Sequence, residues 1–333
     1  MRASILIAAF CATAAAQTAG WKDPAPHRAQ MVRVAPGVEL EVLDWGGSGH
    51  ALILLAGSGN SAHVFDDFAP LAAKFAHVYG ITRRGYGNSS KPESGYDELQ
   101  LAADILAIAD ALHLDRPVLA GHSMAGSEIT ALGTQHPDRW SGLIYFDALG
   151  DPRDFPASDP EYMKLFHELP APMRRTPPDD SKDRTFTGYL RRQKEREHFA
   201  FPESELHTVY ATNADGTMGV HLTPGSIHRA IGDGARKRDY RGIRVPVLAF
   251  VDIPDPERAT RLGDYLPKND DERRAIEAFA RATAGFVNRW IASLRAAVPS
   301  ARVVDLPGTG HYVFLTRTSE VLEEMRRLVE RAF

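Results

Sequence analysis

Cysteine is almost absent: the one thiol in 333 residues is Cys11. That excludes a disulfide framework and a cysteine-based metal centre. An excess of charge of one sign is missing too, because 39 basic residues face 43 acidic ones and leave a net charge of −4. A nucleic-acid binder is expected to show a basic surplus, so that class is set aside. No apolar run approaches the ~20 residues needed to cross a bilayer. Internal repeats and low-complexity tracts are absent as well. What is present, 44% hydrophobic, 25% charged and 9% aromatic residues, is the make-up of a globular protein. The length suits one large domain, or a core carrying a second, smaller lobe.

The first sixteen residues stand apart. Arg2 gives a positive start, Ile5 to Ala12 is an apolar run, and Ala14-Ala15-Ala16 offers small residues for cleavage. Those are the three parts of a secretory signal peptide, so residues 1–16 are read as a leader. Bulky Phe10 beside Cys11 argues against a lipid anchor there. The mature chain then holds no cysteine, which suits an oxidising compartment and an exported protein, periplasmic or secreted. The competing reading is a disordered or helical N-terminus of a cytosolic protein.

From there strands and helices alternate. Met31 to Val34 and Val38 to Trp45 form an opening hairpin around Pro36-Gly37. Ala51 to Leu55, His77 to Thr82, Pro117 to Ala120, Gly142 to Phe146, Val245 to Val251 and Ala301 to Leu306 are short apolar runs that read as buried strands. Helical spacing marks Phe65 to Phe75, Tyr96 to Leu112, the segment from Gly121 to about Gln135, and Glu320 to Val329. The pattern predicts an α/β fold, a mainly parallel central sheet with helices on both faces.

Two stretches break the rhythm. Residues 152–241 are rich in proline and charge, with helical pieces at Glu161 to Leu169 and Arg184 to His198. Their aromatics, Phe155, Tyr162, Phe166, Tyr189 and Phe199, favour a packed cap over a surface linker. Residues 17–151 and 242–333 are left as the core. Within the second stretch, 256–300, Ile276, Phe279, Ala280, Val287, Trp290, Ile291 and Leu294 trace a helical stripe.

The chemistry gathers at Gly121-His122-Ser123-Met124-Ala125-Gly126. A serine between a strand end and a helix start, with small residues two before and two after, fits a sharp turn that lifts its hydroxyl above the sheet. The Met124 N–H then lies at a helix N-terminus, aimed at developing negative charge. The plain alternative is a serine N-cap. A serine nucleophile needs a base. Of thirteen histidines, His311 follows the last strand in a glycine-rich loop, Leu306-Pro307-Gly308-Thr309-Gly310-His311, at the carboxyl edge where α/β sheets collect functional groups.

With these pieces the mature chain resembles the α/β-hydrolase family. The resemblance rests on the hairpin, Leu54-Leu55-Ala56-Gly57-Ser58-Gly59, Arg84-Gly85-Tyr86-Gly87-Asn88-Ser89, the Ser123 turn, and Gly308-Thr309-Gly310-His311 before the last helix. It implies a second oxyanion donor at the backbone N–H of Ser58, with Gly59 as a near alternative, and a cap at 152–241. It also implies a triad acid, at one of two places. Asp147 ends the sixth strand; Asp255 follows the seventh in Asp252-Ile253-Pro254-Asp255-Pro256, a turn that lacks the usual glycine. The two stay open as alternatives, Asp147 slightly preferred and Asp252 third. The chain departs from the family pattern at Ala125, where the turn usually ends in glycine, and at Ala56, where a histidine is common.

Together these features predict a cofactor-independent serine hydrolase that cleaves a small-molecule carboxylic ester, or a related acyl compound, through an acyl-enzyme. An ester is the default because its alcohol leaves more easily than an amine. Two other readings compete. Gly57-Ser58-Gly59-Asn60-Ser61-Ala62 with Arg83-Arg84 resembles an NADP-binding fingerprint of an oxidoreductase, and the scaffold could serve a non-catalytic binding protein. No H-E-x-x-H or similarly spaced ligand set appears, which disfavours zinc chemistry. The leader is checked by intact mass of protein recovered from periplasm or medium. The expected chain starts at Gln17, and a full-length chain there refutes the cleavage.

Overall fold

The computed structural model describes residues 21–151, 153, 156, 159–174, 183–259 and 265–331. The expected leader, Cys11 and Phe155 lie outside the described residues. Among the described residues, ten strands are β1 (Arg28–Ala35), β2 (Val38–Gly46), β3 (Ala51–Leu55), β4 (His77–Ile81), β5 (Val118–His122), β6 (Gly142–Phe146), β7 (Tyr210–Thr212), β8 (Met218–His221), β9 (Val247–Val251) and β10 (Arg302–Asp305). The core helices are α1 (Ala69–Ala72), α2 (Glu98–Ala111) and α3 (Ala125–Gln135). Between β6 and β9 come α4 (Pro160–Glu168), α5 (Ala171–Arg174), α6 (Phe186–Glu197), α7 (Glu203–Val209) and α8 (Gly225–Asp233). After β9 follow α9 (Pro256–Ala259), α10 (Asp270–Ala297), α11 (Val313–Thr316) and α12 (Thr318–Arg331).

Eight strands make one sheet in the order β1-β2-β4-β3-β5-β6-β9-β10. Its β1–β2 and β2–β4 pairs are antiparallel and the rest parallel. The central strands are apolar throughout because both faces are covered, and alternate side chains enter different cores. Leu54, Ala120, Ile144 and Leu248 stand in register across β3, β5, β6 and β9 and join the core under α1, α11 and α12. Ile53, Leu119, Tyr145 and Ala249 point the other way, to α2, α3 and the second half of α10.

Two local differences from the sequence reading have physical causes. Phe65 to Phe75 is not one helix: a 3₁₀ turn over Ala62–Phe65 is followed by the single turn α1. Pro70 sits at the start of α1, where its missing N–H is tolerated, and would disrupt the interior of a longer helix. The β7–β8 hairpin lies outside the strands that the apolar runs mark, although Asp215-Gly216 carries a turn signal and Gly216 takes φ +80°. The stripe in 256–300 belongs to a 28-residue helix, α10, about 42 Å long at 1.5 Å per residue.

The N-terminus of α10 is capped by Asn269, which accepts from the Glu272 amide, with Asp270 and Asp271 in the favourable first turn. Its first half packs Ile276 and Ala280 on Leu169, Phe166 and Met173 of the α4–α5 segment. Its second half buries Val287, Ile291 and Leu294 in the sheet core. One rigid rod thus anchors the α4 layer to the sheet. Leu294 is fully buried, so Leu294→Ala is expected to lose about 2–5 kcal/mol in urea melts. Exposed Arg281→Ala should stay within about 0.5 kcal/mol. Equal small losses in both would show that the rod carries no core packing.

Candidate active site

Strand register builds the site. His122 pairs with Phe146, and Phe146 with Phe250, at the carboxyl ends of β5, β6 and β9. Ser123 and Asp147 are the next residues on neighbouring strands, so they emerge side by side. Both leave the sheet with left-handed backbones, φ +53° at Ser123 and +44° at Asp147. Such non-glycine conformations cost energy and persist only where the surroundings over-determine them. Around Ser123 the surroundings are tight. A Cβ on Gly121 would stand 3.1 Å from the Ala125 carbonyl group, and one on Gly57 would stand 3.0 Å from the Ser123 Cβ. The small residue after the turn can therefore be Ala125, but Gly121 and Gly57 have little freedom.

His311 arrives on the loop after β10 and turns its Nδ1 to Asp147 Oδ2 at 2.6 Å. The structure thus brings Asp147 to the histidine. Asp255 instead accepts the Glu257 amide at the start of α9. Asp252 braces the loop: its two oxygens accept from the Gly308 amide at 3.0 Å and the Gly310 amide at 2.8 Å. Burial, with the nearby charges of Asp147 and Asp305, raises its carboxyl above the usual range against those bonds.

Ser123, Asp147 and His311 line one cavity of about 550 Å³. Its outer wall comes from Tyr162 of α4 and Thr283, Val287 and Trp290 of α10. Tyr162 and Thr283 share a hydroxyl hydrogen bond of 3.1 Å, which closes the two helices over the site. Met124 lines the cavity with Ser123, whereas Ser58 is not among its lining residues and sets its Oγ 3.4 Å from His228 Nδ1; the Gly57 backbone packs directly on Ser123.

Several contributors were not visible in the sequence reading. His122 is buried; its Nε2–H donates to the His311 carbonyl at 2.9 Å, and burial holds it well below the usual histidine range, hence neutral. Arg238 is buried and donates to the carbonyls of Ala148 (2.9 Å) and Gly150 (2.7 Å), pinning the chain just beyond strained Asp147. Glu205 of α7 accepts from Asn60 Nδ2 (2.8 Å), the Ser61 amide (3.0 Å) and the Ser61 hydroxyl. Asn60 in turn accepts from the hydroxyl of Tyr312, the neighbour of His311. His122 could have been found, since it sits inside the serine motif. Arg238 and Glu205 carry no local signal.

The geometry also bears on the dinucleotide reading. Arg83 is buried in a two-point pair with Glu128, and Arg84 in another with Asp104, so neither guanidinium faces outward for a phosphate.

The fold and this arrangement define an α/β hydrolase, and the chain belongs to the Alpha/beta hydrolase family, whose profile matches residues 52–324. Among curated proteins it is 34% identical over 109 residues to a fluoroacetate dehalogenase of Burkholderia sp, covering 31% of this chain and 36% of that one. It is 41% identical over 91 residues to an N-formylmaleamate deformylase of Pseudomonas putida, covering 27% and 34%. The matches thus span about a third of these relatives' length. The crystal structure of E-2-(acetamidomethylene)succinate hydrolase superposes with a TM-score of 0.61 at 17% identity, over 91% of this chain and 99% of that one, which shows a shared fold. Among the described residues no helix is long and apolar enough to cross a membrane.

Glu205 yields a pH prediction. Burial, partly offset by its hydrogen bonds, raises its pKa from 4.5 to about 7. Between those values the folded chain binds more protons than the unfolded chain, so stability falls as pH rises through that window. Glu205→Gln removes this slope. Urea melts at pH 5 and pH 8 should show the variant gaining on wild type by about 1.4 kcal/mol per unit of pKa difference. Parallel pH curves for the two proteins refute the assignment.

Proposed function

We propose that this protein is a serine hydrolase acting on a carboxylic ester through an acyl-enzyme. One observation carries the reading: the 2.6 Å contact of His311 Nδ1 with Asp147, in the cavity that also holds Ser123 on its strained turn. In that arrangement His311 Nε2 takes the Ser123 proton while Oγ attacks the substrate carbonyl. Asp147 keeps the tautomer and offsets the imidazolium charge. The N–H groups of Met124 and Ser58 hold the oxyanion. His311 returns the proton to the leaving alcohol, then activates water to release the acid and restore Ser123.

A serine nucleophile separates this reading from the chemistry of some relatives, which include a dehalogenase and an epoxide hydrolase. Displacement at a saturated carbon by Ser123 would leave an ether, which has no carbonyl for water to attack. Acyl substrates give an ester intermediate that turns over. The deformylase and the (acetamidomethylene)succinate hydrolase among the similar proteins place N-acyl compounds beside esters on the test panel.

A fluorophosphonate probe is expected to label native protein once and Ser123→Ala not at all. On esters of graded acyl length, Asp147→Asn should lose about 10⁴-fold in kcat, as the Asp→Asn change of a triad acid does. Asp255→Asn should stay within about tenfold, the two folds being checked by thermal melting. Labelling that survives Ser123→Ala, or a large loss confined to Asp255→Asn, overturns the assignment.

A further inference from the structure

Away from the cavity, two distant pieces of chain bring two histidines and two aspartates together. Asp23 and His27 lie on the segment before β1, while His63 and Asp66 lie on and just after the 3₁₀ turn, where an i, i+3 spacing puts them on one side. Their ligand-type atoms all fall within 4.8 Å of one another. His63 Nδ1 is 3.1 Å from Asp66 Oδ2 and 3.2 Å from Asp23 Oδ2, and His27 Nε2 is 3.6 Å from that same Asp23 oxygen. Four ligands at 2.0–2.1 Å around a tetrahedral zinc ion stand about 3.3–3.5 Å apart; these three separations lie near that spacing, and the remaining pairs, within 4.8 Å, would draw in around an ion.

The groups behind the cluster fit the same purpose. Each histidine turns one nitrogen to the cluster and the other to a carboxylate. His63 Nε2 faces Glu41 at 3.5 Å, and His27 Nδ1 faces the second Asp66 oxygen at 2.8 Å. A metal-bound imidazole is typically oriented in this way, by a carboxylate on its far nitrogen. Asp66 is held by Trp45 Nε1–H at 3.0 Å and by the Ser204 hydroxyl at 2.5 Å. Among the described residues the ion pairs of Asp23, Asp66 and Glu41 go to imidazoles, while the Lys91 charge acts on Glu41 without an ion pair. Three carboxylates face two imidazoles: Glu41, His63 and Asp66 are almost fully buried, and Asp23 stands at the exposed edge, open to an incoming ion.

We propose that Asp23, His27, His63 and Asp66 form a structural site for one divalent first-row metal ion, with zinc favoured by the imidazole and carboxylate donors and the tetrahedral spacing. The ion would fasten the segment before β1 to the 3₁₀ turn and, through Ser204, to the start of α7. The site is independent of the hydrolase reading and includes none of its residues.

The test is calorimetric titration of Zn²⁺ into chelator-treated, tag-free protein, with native mass spectrometry and thermal melting alongside. One Zn²⁺ per chain and a raised Tm are expected in wild type and equally in Ser123→Ala. His63→Gln and Asp66→Asn should abolish binding. Because those residues are buried and the variants risk misfolding, Asp23→Asn and His27→Gln on the peripheral segment decide the matter. Each should weaken binding about tenfold or more while the metal-free melt persists. Absence of Zn²⁺ uptake by wild type, or affinity unchanged in both peripheral variants, overturns the site; the first result leaves an ion-paired network with a doubly protonated His63.

Discussion

The left-handed backbone of Ser123 is the constraint around which the rest is arranged. A strand must end at His122, a helix must begin at Ala125, and the crowded positions two before and two after must stay small, as Gly121 and Ala125 are. The cost of that conformation is borne by a sheet covered on both faces, where β5 lies between β3 and β6 and every residue of the strand is buried. Because β6 is in register with β5, the same edge that lifts Ser123 delivers Asp147 beside it. The parallel pairing of β9 with β6 then sets Asp252 where it can grip the His311 loop.

Polar groups behind this edge do the holding. Ala56 stands where the family often has a histidine, and the turn is secured by other means. Arg83 donates to the Ala56 carbonyl at 3.0 Å, and Glu205 binds Asn60 and Ser61 from the far side. Arg83 and Arg84 are themselves fixed by Glu128 and Asp104. Buried pairs of this kind are weak evidence for net stability, but loss of one partner leaves an uncompensated charge, so they make the loops after β4 unforgiving. Arg238 does the same for the carbonyls after Asp147.

The outer wall of the cavity is not a separate flap. Tyr162 of α4 bonds Thr283 of α10, and α10 runs on into the core beside Ile291 and Leu294. A rigid helix that belongs to both layers couples the shape of the pocket to the packing of the sheet. Substrate selectivity would then depend on Tyr162, Val287 and Trp290 as much as on the strand ends.

Hydrophobic period, turn residues and the serine motif were enough to read the strands, the two covered faces, and the order of Ser123 before His311. Each of those is a local property, since a buried strand must be apolar and a sharp turn must have small neighbours. The choice between Asp147 and Asp255 was not local. Both follow a buried strand, and only the path of the β10 loop, held by Asp252, decides which carboxylate meets the imidazole. The partnerships of Glu205 with Asn60, of Arg238 with the Ala148 carbonyl, and of Asp23 with His63 belong to the same kind. Sequence separations of 145, 90 and 40 residues leave no periodic trace, because such contacts form only when distant elements pack and strip each other of water.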